Sequence, residues 1–251
     1  MKTHALCQMY LAVIFSMLTL TQVQAAAIKV AAASNFGSTM RQLVIAFEKK
    51  SEHRVILTVG STGKLYSQII HGAPFDIFFA ADNRRPKQLE KKGRGLAGSR
   101  FTYAIGSIVL WSQQPHLVDA QGLVLSERSS RLLALAHPRL APYGIAAEQV
   151  LRRLGVWSQW KKRLAMGENV SQAFQFVASG NASMGFISRT QLLGLDEGDQ
   201  GSHWIPPRHL YEPIEQQAIL LRDDEPVRAF AAFVQGQPGR EIIRQNGYAD
   251  F

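Results

Sequence analysis

The chain has 251 residues, with 28 lysines and arginines against 19 aspartates and glutamates, a formal charge of +9 and one cysteine, Cys7. A single cysteine excludes an internal disulfide and a thiolate metal cluster. The basic residues fall in short runs, NRRPK (83–87), KKGR (91–94), LRRL (151–154) and KKR (161–163), beside Glu or apolar helix positions and without interleaved aromatics; this fits a solvated face with a mild preference for anions and not a nucleic-acid partner.

In chain order, Lys2 is the only charge before Lys29, the apolar run LAVIFSMLTL covers Leu11 to Leu20, and small residues follow up to Ala25. This pattern predicts a secretory signal peptide over residues 1–25, cleaved after Ala25, and therefore a periplasmic mature protein. A membrane span needs about 20 apolar residues, and this run is well short of that. Cys7 precedes the apolar core, where a lipid anchor is not attached, and it leaves with the signal. About 226 residues remain and the formal charge falls to +8. That length buries one large or two modest cores without cross-links.

Short apolar runs predict strands at Ile28–Ala33, Arg54–Gly60, Asp76–Ala81, Gly106–Ser112, Leu132–Ala136, Met184–Ile187 and Gln217–Leu221. Helix-period faces lie between them: Phe36, Met40, Leu43, Val44 and Phe47; Ala147, Val150, Leu151 and Leu154 before Gly155; and Val170, Ala173, Phe174 and Val177 before Gly180. The glycines suit left-handed helix ends. The alternation predicts an α/β protein with parallel sheets covered on both faces, whose ligand sits beyond the carboxyl ends of the strands.

Two strand ends carry serines at the mouth of a helix: VAAASNFG brings Ser34 and Asn35 there, and LTVGSTGKL brings Ser61. A helix N-terminus offers partnerless N–H donors and about half a positive charge, so these residues lie where an anion would be held. An ordinary N-cap, in which the serine hydroxyl satisfies only its own helix, is the other reading. Tyr143 in APYGIAAEQVL and Val170 in GENVSQAFQFV open two further helices. Neither is a capping residue type, so any donation there comes from the backbone N–H.

With these segments the chain resembles the periplasmic molybdate-binding proteins of ABC importers. The likeness runs through VAAASN, GSTGKLYSQI, GAPFDIFFAAD, LAHPRLAPYGIAAEQVL, ENVSQAFQFVASGNASMGFIS and HWIPPRHLYEPIEQQAILL. It implies two doubly wound lobes with a ligand cleft between them and two chain crossovers, the type II periplasmic-binding-protein fold. Lobe one is expected over residues 26–104 and 204–251, lobe two over 105–203, with crossings near Gly106 and His203. The resemblance also implies a function: capture of molybdate, and tungstate, for a membrane permease and its ATPase subunit, by a monomer that is not an enzyme and holds no cofactor and no metal beyond the oxyanion. The implied ligand donors are the N–H and hydroxyl of Ser34 and of Ser61, and the N–H groups of Tyr143 and Val170. Many members carry a tyrosine donor where this chain has Ser188, whose side chain is too short; another branch has asparagine after the first serine or threonine, and Asn35 is expected to replace the missing donor.

A fully deprotonated tetrahedral dianion only accepts hydrogen bonds, so an all-donor site suits it, whereas protonated phosphate leaves a donor unpaired at about 1–3 kcal/mol. Sulfate is also acceptor-only and remains the alternative ligand. Lys64 is expected on the surface, because distributed dipoles neutralise a dianion without burying an ammonium. Asp76 and Asp82 are expected to serve structure. GSTGKL is not a nucleotide-binding loop, since Thr58 and Leu65 stand where that motif needs glycine and Ser or Thr. A secreted serine hydrolase built on Ser61 is the alternative of another class; the sequence holds no G-x-S-x-G elbow, and His53, His71, His116, His137, His203 and His209 show no metal-pair spacing.

Overall fold

The computed structural model describes residues 27–127 and 130–249. The expected signal peptide lies outside them. Among the described residues ten strands form two five-stranded sheets: β1 (Ala27–Ala33), β2 (Arg54–Gly60), β3 (Ile77–Ala80), β4 (Phe101–Gly106), β5 (Ile108–Ser112), β6 (Leu133–Ala136), β7 (Leu164–Gly167), β8 (Met184–Ser188), β9 (Ser202–Trp204) and β10 (Ile214–Leu220). The helices are α1 (Gly37–Glu48), α2 (Thr62–Ile70), α3 (Arg84–Lys91), α4 (Pro142–Arg153), α5 (Trp157–Trp160), α6 (Val170–Ala178), α7 (Arg189–Leu193), α8 (Glu225–Gln235) and α9 (Gln237–Gln245). Among the described residues no helix is long and apolar enough to cross a membrane.

The first sheet runs β2-β1-β3-β10-β4 and the second β7-β6-β8-β5-β9. The two orders are equivalent: two neighbouring parallel pairs on one side, then an antiparallel strand next to the edge. In the first sheet β1 pairs parallel with β2 and β3, and β10 runs antiparallel to β3 and β4. In the second, β6 pairs parallel with β7 and β8, and β5 runs antiparallel to β8 and β9. The sheets are therefore mixed, where helix–strand alternation predicted parallel ones. The antiparallel strand in each is the one the chain enters on crossing from the other lobe, with no α-helix between it and the strand before to turn the chain around.

Those crossings set the seam. The run expected as one strand from Gly106 to Ser112 takes in only the last residue of β4, whose Phe101–Ile105 was not expected, and the whole of β5: Gly106 pairs with Ile214 in the first sheet, Ser107 bridges, and Ile108 opens β5 in the second. The chain returns between Trp204, still paired with Leu110, and Ile214. Ile105 and Gly106 thus pair in the first sheet, and Trp204 in the second, although the sequence reading put each on the other side. An antiparallel bridge from Ile105 to Ala249 ties the chain end back to the first lobe.

Helices cover both faces of each sheet. On the first, Met40, Leu43 and Phe47 of α1 pack with Val30, Phe79 and Phe230, while Leu65 and Ile69 of α2 cover Ala31, Phe78 and Ile219 opposite. On the second, Val150 and Leu151 of α4 lie over Leu133 and Leu135, and Ala173 and Val177 of α6 over Val109 and Trp111. These are the helical faces expected from the spacing, except that Leu154 lies beyond the end of α4 and is exposed. Gly155 and Gly180 follow their helices with φ of 74° and 75°, the left-handed ends for which glycine is favoured. One apolar cluster of the second lobe reaches Ala33 and Ala81, at the carboxyl ends of β1 and β3, so the lobes share an apolar contact.

Candidate functional site

Strand register brings the candidate segments together in pairs. Ala33 faces Gly60 across the β1–β2 ladder, so Ser34 and Ser61, the next residues, leave the sheet side by side, about 5 Å apart as neighbouring strands are. In the second sheet Ala136 faces Gly167, and the chain beyond these two ends enters α4 and α6. Two equivalent pairs of strand ends thus feed four helix starts across one gap.

The gap is closed by direct contacts. The Ser171 hydroxyl, on the first turn of α6, donates to the Ser34 carbonyl at 3.3 Å. Asn35 Nδ2 lies 3.5 Å from the Tyr143 hydroxyl. Ser61 Oγ donates to the Leu140 carbonyl at 2.8 Å, just ahead of α4. Beside them a cleft of about 690 Å³ is lined by Ser34, Asn35, Asn169 and Ser171 among others. Ser61, Tyr143 and Val170 are not in its lining; Ser61, Tyr143 and Val170 are buried at the seam.

Ser34 lies inside a 3₁₀ turn, Ser34–Phe36, and Phe36 is the residue that caps α1. Ser61 is the N-cap of α2, but its side chain makes no bond to the helix. Neither serine is a self-satisfied cap. Ala141 caps α4 with no side-chain bond, Pro142 takes the first helical position, and Tyr143 follows. The N–H groups of Ser61, Tyr143 and Val170 all fall where a helix supplies no acceptor. Asn169 caps α6 by accepting from the Gln172 N–H at 3.1 Å, which leaves the Val170 N–H outside that bond.

Asn35 is buried and engaged. Its Nδ2 donates to Gln216 Oε1 at 2.6 Å and to the Tyr248 hydroxyl at 3.1 Å, and that hydroxyl donates in turn to the Asn35 carbonyl at 2.9 Å. Two amide protons therefore already have two partners. The Tyr103 hydroxyl reaches Ala80 O at 3.0 Å and Gln216 Oε1 at 3.3 Å. Burial, with neighbouring tyrosines adding to it, pushes the hydroxyls of Tyr103 and Tyr143 well above their ordinary range, and burial pushes Tyr248 up as well. All three stay neutral donors and acceptors at physiological pH. Gln216 Nε2 is buried without a partner, next to Gly106, where an added Cβ would come within 3.2 Å of it and would overlap the Tyr143 hydroxyl.

Ser188 is fully buried and caps α7 in a reciprocal box with Gln191: its Oγ accepts from the Gln191 N–H at 3.3 Å, and Gln191 Oε1 accepts from the Ser188 N–H at 2.9 Å. Lys64 is half-exposed and pairs with Glu168, ahead of α6 in the other lobe. Asp76 Oδ2 accepts from the Lys29 N–H at 2.7 Å, and Asp82 Oδ1 accepts from the Arg85 N–H at 2.9 Å. Both carboxylates hold backbone at the ends of β3. Among the described residues no three His, Cys, Asp or Glu side chains cluster as metal ligands, and the Ser61 hydroxyl is bonded to a carbonyl and not to a histidine.

The sequence reading missed Tyr248, Gln216 and Tyr103. Gln216 carried a signal: it shares the inward register of β10 with Ile214 and Ala218 and is fully buried. A polar side chain on the apolar face of a strand calls for a partner.

Two mixed sheets joined by two crossings, with helix starts from both meeting at the seam, define a two-lobed solute-binding receptor. The chain belongs to the family of bacterial extracellular solute-binding proteins, which matches residues 28–249, and within it to the molybdate-binding proteins. It is 45% identical over 228 residues to the molybdate-binding protein ModA of Azotobacter vinelandii, covering 90% of each chain. It is 41% identical to ModA of Rhodobacter capsulatus, over 87% of this chain and 86% of the relative. The solved structure of the Azotobacter vinelandii periplasmic molybdate-binding protein superposes with a TM-score of 0.84 at 42% identity, over 89% of this chain and 99% of that one. By name these relatives bind molybdate.

Proposed function

We propose that the protein is a periplasmic receptor that holds molybdate, or tungstate, between its lobes and delivers it to a membrane permease driven by a cytoplasmic ATPase. It transforms nothing chemically and acts as a monomer, exported by the segment 1–25. The observation that carries this reading is the meeting, at one seam, of helix starts from both sheets whose first N–H groups have no helical acceptor.

The ion accepts from the N–H and hydroxyl of Ser34 and of Ser61 and from the N–H groups of Tyr143 and Val170. Asn35 adds an amide proton at the expense of its Tyr248 bond. Because the donors come from both lobes, closure completes the site and binding orders the lobes, as in hinge closure generally. The positive ends of several helices share the double negative charge, each about half a unit, so no lysine or arginine need be stripped of water. The first lobe runs through Gly106 and resumes at Ile214, and the second runs from Ile108 through Trp204.

Titration calorimetry of the mature chain against molybdate, tungstate, sulfate and phosphate tests the assignment. One-site binding of molybdate and tungstate, with much weaker heat from the others, is expected; heat from sulfate and none from molybdate overturns the ligand while leaving the fold.

A further inference from the structure

Beside the candidate ion donors, three groups of the first lobe converge on two consecutive carbonyls of the second. The Gly63 N–H and the Ser61 hydroxyl both donate to Leu140 O at 2.8 Å, and Arg85 Nη2 donates to Arg139 O at 3.0 Å. The acceptors sit on a tight turn fixed within its own lobe: the His137 carbonyl accepts from the N–H groups of Leu140 and Ala141 at 2.9 and 3.0 Å, and the His137 N–H donates to Gly167 O at 2.7 Å. Arg85 is held within its lobe too, ion-paired to Asp82, and its side chain is 5% exposed.

We propose that Gly63 and Arg85 are positioning residues for ligand retention, forming a latch on the Arg139–Leu140 carbonyls that is made only when the lobes close. The proposal rests on the reading of the seam as the ion site. Gly63 is needed there for space: a Cβ would stand 2.9 Å from Leu140 O, 3.1 Å from Leu140 Cα and 3.0 Å from Arg85 Nη2. Arg85 is needed for its fork, since one guanidinium both neutralises Asp82 and reaches a carbonyl across the seam, which a lysine ammonium does less well. The latch also frees Ser61. Its hydroxyl has one proton, shared in the structure with Leu140 O; when that proton turns to an oxyanion, the Gly63 N–H still satisfies the carbonyl.

The test is stopped-flow binding of molybdate to wild type, Gly63→Ala and Arg85→Lys, with thermal melting of each ligand-free protein and small-angle scattering with and without molybdate. Alanine is the better helix former, so a lower melting temperature of Gly63→Ala reports the lost seam contact and not a weakened helix. Its dissociation rate should rise about tenfold or more, the worth of one or two charge-assisted or buried bonds, with the association rate little changed. Arg85→Lys should shift the same rate by less. The radius of gyration of Gly63→Ala should exceed that of wild type in at least one of the two conditions. Unchanged dissociation, or an effect confined to association, overturns the latch. Failure of wild type to bind molybdate sinks the ligand reading instead, and the latch is then judged on the radii, equal values in both conditions overturning it.

Discussion

Asn35 Nδ2 and Gln216 Oε1 lie 2.6 Å apart, joining the turn after β1 to the middle of β10. The bond ties the strand end that carries Ser34 to the strand through which the chain re-enters the first lobe. Asn35→Ala removes it together with the Tyr248 contact, while Gln216 Oε1 keeps the 3.3 Å Tyr103 bond and the Tyr248 hydroxyl keeps its bond to the backbone carbonyl of residue 35, so the cost is about 1 kcal/mol for each bond lost. A lower melting temperature and weaker molybdate binding are expected together. Affinity unchanged in Asn35→Ala, while Ser61→Ala lowers it strongly, would show that Asn35 only supports the fold and does not stand in for the missing tyrosine.

Gly106 ends β4, one residue before the chain crosses. A side chain there overlaps the Tyr143 hydroxyl and presses on Gln216 Nε2, so Gly106→Ala should displace the start of α4 and weaken molybdate binding about tenfold or more, with each lobe still folded. Adding Tyr143→Phe takes away the overlapping hydroxyl and should restore part of the loss. Calorimetry on the two single variants and the double variant measures the coupling; strict additivity would place the damage elsewhere.

Alkaline stability follows from the three buried tyrosines. Each has its hydroxyl pushed above the ordinary value of 10.0. The unfolded chain therefore loses these protons first, so stability is fully present below pH 10 and falls as pH rises through and beyond it. Each tyrosine adds about 1.4 kcal/mol per pH unit to that fall until its own folded value is reached. Urea melts between pH 8 and 11 should show a slope smaller by about one proton in Tyr103→Phe. The same slope in wild type and variant contradicts it.

Selectivity should track protonation and size, not the metal. Tungstate is expected to match molybdate within a few-fold. Phosphate, which carries a proton near neutral pH and must donate it, should bind about tenfold more weakly or worse at a donor-only site. Competition calorimetry measures the ratio, and a preference for phosphate would require an acceptor facing the ion.

Much of the fold was legible because strand and helix periods are local. The interior strands and the apolar faces of α1, α4 and α6 stand where spacing put them, since residues such as Met40, Leu43 and Val150 have one way to be buried. The crossings were less legible: Gly106 to Ser112 is one apolar run, and nothing local says that Ser107 hands it from one sheet to the other. β7 was missed because LAMG is short and half-exposed, and β9 because SHW has only three residues. Among the candidate site residues, Ser34, Ser61, Tyr143 and Val170 were legible as residues at or beside helix starts. The partners that organise them were not, because Tyr248 reaches Asn35 from 213 residues away and Leu140 meets Ser61 through a backbone carbonyl, which no side-chain pattern announces.

The central claim is that one small dianion sits where the helix starts of both lobes meet. Crystals of the mature chain grown with molybdate, measured at the molybdenum absorption edge, test it most directly. The account predicts a single strong anomalous peak within hydrogen-bond distance of the Ser34, Ser61, Tyr143 and Val170 N–H groups; a peak elsewhere, or none in a crystal that holds molybdate in its solvent, contradicts it.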